Sequence, residues 1–218
     1  MESVISSALE ALKSERLEYQ AFDTDDQELL EFIHKNDVND PVIGALSLTE
    51  PPKPRTKKYT AECIDGLAKC DFIVTINLPP SVATKATNSN DDSKATRSTE
   101  KSEIIGYIGL GSPGDTARHQ CATIMISIAS PYQSRGYGSE AINWIVDWGF
   151  TYQNLHRIAI ETVSFNERAV ALYQKLGFKI EGRKRDAILY GGKRYDTIDM
   201  SMLVHEWEEL RGAFNVEY

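Results

Sequence analysis

Residues 121–150 read CATIMISIASPYQSRGYGSEAINWIVDWGF, and the spacing of their apolar side chains changes along the segment. Residues 121–129 form an apolar, isoleucine-rich run of strand length. Residues 139–150 instead place their large apolar side chains on one helical face. The segment therefore predicts a strand, a loop and an amphipathic helix in direct succession.

The intervening loop, QSRGYG at residues 133–138, carries glycines immediately before the predicted helix. Glycine lets backbone N–H groups approach an anion without obstruction from a Cβ, and the helix dipole favours negative charge there. The loop has neither the Lys-Ser/Thr pair of a Walker loop nor the three spaced glycines of a dinucleotide fingerprint. It is a candidate phosphate cradle, and on this segment alone an ordinary glycine turn remains the alternative.

Further strand and helix patterns surround this unit and predict an α/β protein with helices crossing a mixed sheet. Gly177 is the expected left-handed end of the second long helix. The Gly191-Gly192 pair predicts a hairpin turn between the last two strands. The additional strands are expected at 71–78, 103–110, 157–163, 178–189 and 193–204, and the additional helices at 25–34, 57–67 and 166–176.

Residues 79–103 are poor in large apolar side chains and rich in Ser, Thr, Asn, Asp and Lys, which predicts a disordered insertion. Strand-like runs flank the segment, so it is expected to interrupt a hairpin and not to separate two domains. Together with a length of 218 residues and 41% hydrophobic composition, this predicts a single domain over residues 1–218.

Composition argues against several classes of function. A formal net charge of -8 disfavours nucleic-acid binding, and no apolar stretch approaches the roughly 20 residues of a membrane helix. The N-terminal residues lack the pattern of a secretory signal, so a cytoplasmic location is expected, with a nuclear one left open. The 3 cysteines lack disulfide or zinc spacing and the 4 histidines lack ligand spacing, so reduced thiols and no metal are expected.

A second motif, NERAVALYQKLGF at residues 166–178, follows the loop after one intervening strand. With both motifs, the sequence resembles the GCN5-related N-acetyltransferase (GNAT) superfamily. The resemblance runs from RLEYQAFDTDDQELLEFI at 16–33 to GGKRYDTIDMSMLVHEW at 191–207. These outer segments are similar to the RimJ/RimL-like branch.

The resemblance implies a GNAT fold, with a central mixed, mostly antiparallel twisted sheet of about six to seven strands and helices on both faces. It implies an acetyl-CoA-dependent N-acetyltransferase that passes acetyl directly to a primary amine, either a protein N-terminus or a small molecule. A GNAT-fold protein that binds or senses acyl-CoA without catalysis is the alternative. Acetyl-CoA and an amine are the expected partners, and the oligomeric state stays open, a homodimer included.

The resemblance also assigns roles to individual residues. In the family, the residues that match the loop and the first helical turn bind the CoA pyrophosphate, and the preceding strand pairs with pantetheine. The residue matching Asn166 reaches the pantetheine arm, and the tyrosine matching Tyr173 protonates the leaving thiolate. From the residues alone, Asn166 could equally be a helix N-cap and Tyr173 a core aromatic. The expected cofactor-binding set is Ile126, Ser127, Ile128, Gln133, Ser134, Arg135, Gly136, Tyr137, Gly138, Ser139, Asn166 and Tyr173.

The general base is the least defined part of the expected site. Many relatives carry a glutamate at the position that corresponds to Thr123. Glu161 and Glu103 are the candidate substitutes, and His119 and Asp196 are further candidates. Glu161 is the expected catalytic partner of Tyr173, and an ordinary surface carboxylate is the alternative for each of these acidic residues.

Overall fold

The computed structural model describes residues 10–47, 53–80, 102–112 and 118–212. Within these ranges the strands are β1 Glu18–Ala21, β2 Phe72–Leu78, β3 Glu103–Gly111, β4 Cys121–Ile128, β5 Arg157–Val163, β6 Lys179–Tyr190 and β7 Lys193–Leu203. They form one sheet of 7 strands in the order β1-β2-β3-β4-β5-β7-β6, in which β4 and β5 are parallel and the other neighbours antiparallel. The predicted fold class is confirmed.

The described helices are α1 Gln27–Ile33, α2 Pro41–Ser47, α3 Lys57–Leu67, α4 Tyr137–Tyr152, α5 Glu167–Lys175 and α6 Val204–Arg211. A π-helical turn, His34–Val38, continues α1. Helix α5 begins where the Asn166 side chain accepts a hydrogen bond from the Ala169 N–H at 3.2 Å, and it ends before Gly177, whose φ is 101°. The sequence did not predict α2 or the π-helical turn.

Two apolar clusters cover opposite faces of the sheet. The larger cluster joins α4, α5 and α6 to strand residues such as Ile108, and the smaller joins α1 and α3 to Tyr107. Since neighbouring residues of a strand point to opposite faces, Ile108 and Tyr107 identify the two sides. Helices therefore flank both faces, as predicted.

The two predicted hairpins are present. Strand β2 pairs antiparallel with β3, so the segment between them interrupts a hairpin, although residues 81–101 of the predicted insertion lie outside the described part of the chain. Strands β6 and β7 pair across Gly191 and Gly192, whose φ angles of 56° and 77° suit the left-handed residues of a two-residue turn. In the described residues, no helix has the length and apolar character needed to cross a membrane.

Candidate active site

The two parallel strands separate and open a cavity. Strands β4 and β5 pair from Cys121 opposite Arg157 to Thr123 opposite Ala159, and their described ladder ends there. A cavity of about 680 Å³ lies where they diverge. Its lining includes most of the expected site: Ile126, Ser127, Ile128, Gln133, Ser134, Gly136, Gly138, Ser139, Glu161, Asn166 and Tyr173.

The glycine loop presents the start of α4 to this cavity. Ser134 and Gly136 both have positive φ, 62° and 86°, so the chain turns sharply into the helix. The first hydrogen bond of the helix runs from the Glu140 N–H to the Gly136 carbonyl at 3.1 Å. The N–H groups of Tyr137, Gly138 and Ser139 precede that bond and have no acceptor within the helix. This is the geometry of an anion site.

Arg16 contacts the glycine loop from outside the cavity lining. Its guanidinium donates to the Arg135 carbonyl at 3.0 Å and to Glu140 Oε2 at 2.8 Å, and it lies 4.8 Å from the centre of the Tyr137 ring. The Arg135 guanidinium lies 5.7 Å from the ring centre of Tyr132. Among the described residues, the structure does not bring the Arg135 and Tyr137 side chains into the cavity lining, so their cofactor contacts stay predictions.

Arg168 lines the cavity beside the loop and was missed by the sequence analysis. Its Nη1 donates to Ser134 Oγ at 2.5 Å and its Nη2 donates to Gln133 Oε1 at 3.3 Å. Gln133 in turn donates to the Ile128 carbonyl at 2.9 Å. A positive side chain therefore stands at the loop end of the cavity. The available signal was its position in the first turn of α5, two residues after Asn166.

Tyr173 is buried in the cavity wall in the protonated state. Tyr173 is 9% exposed, and its ring centre lies 6.3 Å from the ring centre of Phe178. Burial raises the pKa of Tyr173 to about 12, while the nearby Arg168 lowers it. The hydroxyl thus carries its proton at neutral pH and can act as an acid. Asn166 caps α5 and also lines the cavity, so the two interpretations of that residue are compatible.

Glu161 is the one expected base candidate that lines the cavity among the described residues. Its side chain is 49% exposed, and the Lys184 ammonium lies 3.3 Å from Glu161 Oε2.

Asp196 accepts from the Asp186 N–H and from Arg183, and these contacts lower the pKa of Asp196.

The remaining base candidates lie outside the cavity lining. Glu103 accepts a hydrogen bond from the Tyr132 hydroxyl. His119 is exposed in the segment before β4. Thr123 stands at the last β4–β5 pair and lines a smaller groove together with Glu161.

Asp37, in the π-helical turn, is the second cavity residue that the sequence analysis missed. The Tyr107 hydroxyl donates to Asp37 Oδ2 at 2.7 Å, and the Ser127 hydroxyl donates to Asp37 Oδ1 at 3.3 Å. Burial raises the pKa of Asp37, while these two hydrogen bonds lower it. The partners are 70 and 90 residues away along the chain, so no local sequence pattern could have indicated the contact.

The seven-stranded, mostly antiparallel sheet with helices on both faces is the fold that the resemblance to the GNAT superfamily implies. The sequence model of the acetyltransferase (GNAT) family matches residues 71–178. This segment of the chain therefore belongs to the GNAT family of acetyltransferases.

Similar proteins support the same assignment. The chain is 32% identical to the spermidine N(1)-acetyltransferase of Escherichia coli K12 over 89 residues. This alignment covers 41% of this chain and 48% of that protein. The chain thus spans about half the length of the curated relatives it matches.

Solved structures share the fold over most of the chain. Spermidine N-acetyltransferase from Vibrio cholerae in complex with CoA and spermine superposes with a TM-score of 0.65 at 23% identity, over 89% of this chain and 99% of that chain. A GNAT-family acetyltransferase from Bacillus anthracis gives 0.65 at 18% identity, over 89% and 98%. The RimJ/RimL-like branch stays a prediction.

Proposed function

We propose that the chain transfers an acetyl group from acetyl-CoA to a primary amine, either a protein N-terminal amine or a small-molecule amine. The observation that carries this proposal is that one cavity joins the unbonded N–H groups of α4 to the protonated Tyr173 hydroxyl. An Escherichia coli relative named as a spermidine N(1)-acetyltransferase supports an amine as acceptor. The cytoplasmic location and the extent of the domain over residues 1–218 stay predictions.

The residues of the cavity suit an acyl-CoA. The N–H groups at the start of α4 and the Arg168 guanidinium provide partners for a diphosphate. The described β4–β5 pairing ends at Thr123, so the backbone groups of the following β4 residues are not paired with β5. An extended pantetheine arm can therefore pair with Ile126–Ile128 as an added strand. Ile124, Ile142 and Ile160 give this part of the cavity an apolar lining.

The proposed chemistry is a direct displacement. Bound acetyl-CoA supplies a thioester: the amine nitrogen forms a bond to its carbonyl carbon, the C–S bond breaks, and the nitrogen releases a proton. Tyr173 gives its hydroxyl proton to the departing sulfur and regains one from solvent, which balances the proton that the nitrogen releases. A neutral amine therefore yields an amide and a thiol, and an ammonium ion, which must first lose one proton to solvent, yields one proton in addition. The main-chain N–H groups of β4 polarise the thioester carbonyl.

Replacing Arg168 by Ala is expected to raise the Kd for acetyl-CoA by about tenfold, because a charge-assisted contact at an exposed site is lost. The loss should shrink as salt is added, since ions screen an exposed charge. Titration calorimetry at two ionic strengths measures both effects. Arg135→Ala is the matched control, and an equal or larger loss in that variant would transfer the phosphate contact to Arg135.

The function is tested by thiol release from acetyl-CoA with a panel of alkylamines, amino acids, polyamines and peptides. We expect release above the amine-free rate with at least one amine, and an acetylated product of matching mass. Thermal stabilisation by acetyl-CoA without release from any amine would favour the non-catalytic alternative. The absence of both thermal stabilisation and thiol release would contradict acyl-CoA binding.

A further inference from the structure

Asp37 is a partly buried side chain whose carboxyl oxygens accept hydrogen bonds from two hydroxyl groups. Among the described residues, no Lys, Arg or His forms a salt bridge with it, and the nearby Asp40 adds a second negative charge. Partial burial of a carboxylate without a countercharge costs free energy, which a cation that enters the site would offset.

Asp40 has a structural role that Asp37 lacks. The Asp40 side chain accepts from the N–H groups of Val42 and Ile43 at 2.7 and 3.1 Å, and therefore caps the start of α2. It also accepts from Ser130 Oγ at 2.8 Å. Asp37 instead lines the cavity, from a π-helical turn, a distortion that occurs frequently at functional sites.

The positive and negative side chains of the cavity lie in different places. Its charged lining residues, among those described, are Arg168, Asp37 and Glu161. Arg168 stands at the glycine loop, where an anionic cosubstrate fits. Ser127 faces the same side of the sheet as Tyr107, because the two are register partners, and this is the side that carries Asp37. Tyr173 belongs to the cluster on the opposite side.

Glu161 shares the Asp37 side of the sheet. Thr123 lies four residues before Ser127 on β4, so the two side chains face the same side of the sheet. Thr123 is paired with Ala159 on β5, and Glu161 follows Ala159 at the next same-face position. Unlike Asp37, Glu161 has a cationic partner in Lys184. Among the described residues that line the cavity, the side opposite Tyr173 therefore carries two carboxyl groups, of which Asp37 has no salt bridge.

We propose that Asp37, held by Tyr107 and Ser127, binds the ammonium group of the acceptor, so that the enzyme selects cationic alkylamines. This inference rests on the proposed acetyl transfer. Asp37 is one side chain away from Ser127, whose strand is expected to hold pantetheine, so an amine bound there approaches the thioester from the side opposite Tyr173. The bound ammonium loses one proton to solvent before its nitrogen attacks the carbonyl carbon, and Tyr173 protonates the departing sulfur from the other side.

The test compares Asp37→Asn with Asp65→Asn, which removes an exposed carboxylate on α3. The substrates are the most responsive alkylamine of the panel and its aminooxy analogue, which has a similar shape and is uncharged at pH 7. For Asp37→Asn, we expect the KM of the alkylamine to rise about 30-fold, as when one partner of a partly desolvated charge pair is removed. The KM of the aminooxy analogue and the KM of acetyl-CoA should change less than about threefold on the same reasoning.

The outcomes separate the two proposals. A wild type that releases no thiol with any amine contradicts the proposed acetyl transfer. A wild-type enzyme that acetylates amines, combined with an Asp37→Asn variant that keeps its KM for the alkylamine, overturns the role of Asp37 alone. An equal rise in KM for both acceptors would also overturn it, because a role limited to folding or shape does not distinguish charge. Asp65→Asn should match the wild type throughout.

A measurement on the wild type covers the case in which Asp37→Asn does not fold, which thermal melting with and without acetyl-CoA would reveal. An alkyltrimethylammonium ion cannot be acetylated but keeps the positive charge, and its tert-butyl analogue is uncharged with the same shape. The charged compound is expected to compete with the amine at least about tenfold better than the neutral one. Equal inhibition by the two compounds would overturn the proposal.

Discussion

Replacing Tyr173 by Phe is expected to lower kcat by about 100-fold, at the lower end of the range for loss of a general acid. The ring keeps its place in the cavity wall, so the KM of acetyl-CoA should stay within about threefold of the wild type. Stopped or continuous thiol-release assays with saturating amine measure kcat directly. Tyr152→Phe removes a hydroxyl from an exposed tyrosine of α4 and is the matched control.

The pH profile gives a second readout for Tyr173. A general acid is active while protonated, and its contribution is lost as pH rises through its pKa, which for Tyr173 is raised to about 12. The wild type should therefore show no loss of kcat on the basic side between pH 7 and 10, and the mutant profile should run parallel at a lower level. A kcat unchanged by Tyr173→Phe would remove the tyrosine as acid.

Replacing Gly136 by Asp is expected to weaken acetyl-CoA binding by about 100-fold or more. The new side chain would point toward Arg16, so its carboxylate would lie roughly 10 Å from a diphosphate of charge about -2, which costs about 3 kcal/mol at an effective dielectric constant of about 20. The residue also has a φ of 86°, and an added Cβ would lie 3.1 Å from Arg16 Nη2, on the side that Arg16 already occupies with Glu140 and the Arg135 carbonyl. Titration calorimetry measures the Kd.

Gly136→Ala separates charge from backbone strain. A non-glycine residue in the left-handed region costs about 1–2 kcal/mol, so the alanine variant should melt at a lower temperature and bind acetyl-CoA no more than about tenfold weaker. The additional loss in Gly136→Asp then reports the charge. Equal affinities for the two variants would contradict the placement of a diphosphate at this loop.

The order of strands and helices from residue 121 to 203 could be predicted because each element has its own local pattern. The helix of residues 166–176 has an N-capping asparagine and a terminal glycine, and the structure has both, at Asn166 and Gly177. The glycine pair at 191–192 likewise fixes a turn by its own conformational freedom. In these segments, local chemistry and tertiary structure agree.

The residues that the sequence did not indicate depend on contacts between distant segments. Arg168 meets Ser134 across 34 residues of chain, and Asp37 meets Ser127 across 90. Their meeting depends on how β4 and β5 separate and on which face α1 covers, and neither follows from hydropathy. The phosphate contact of Arg135 stays a prediction, and among the described residues the positively charged side chain that lines the cavity is that of Arg168.

Short elements were missed for a related reason. Strand β1, Glu18–Ala21, has few residues to show an alternating pattern, and its pairing with β2 defines it. Helix α2 begins at Pro41 after the Asp40 cap, and its 7 residues are too few to show a helical period. The π-helical turn arises from a local insertion in the helical register, which periodicity does not reveal.

A crystal structure of the protein with acetyl-CoA tests the central claim most directly, because it locates both ends of the cosubstrate. We expect the diphosphate oxygens within about 3 Å of the N–H groups of Gly138 and Ser139, and the sulfur within about 4 Å of the Tyr173 hydroxyl. The pantetheine arm should lie between β4 and β5. Acetyl-CoA bound outside that cleft, or a sulfur remote from Tyr173, would contradict the account.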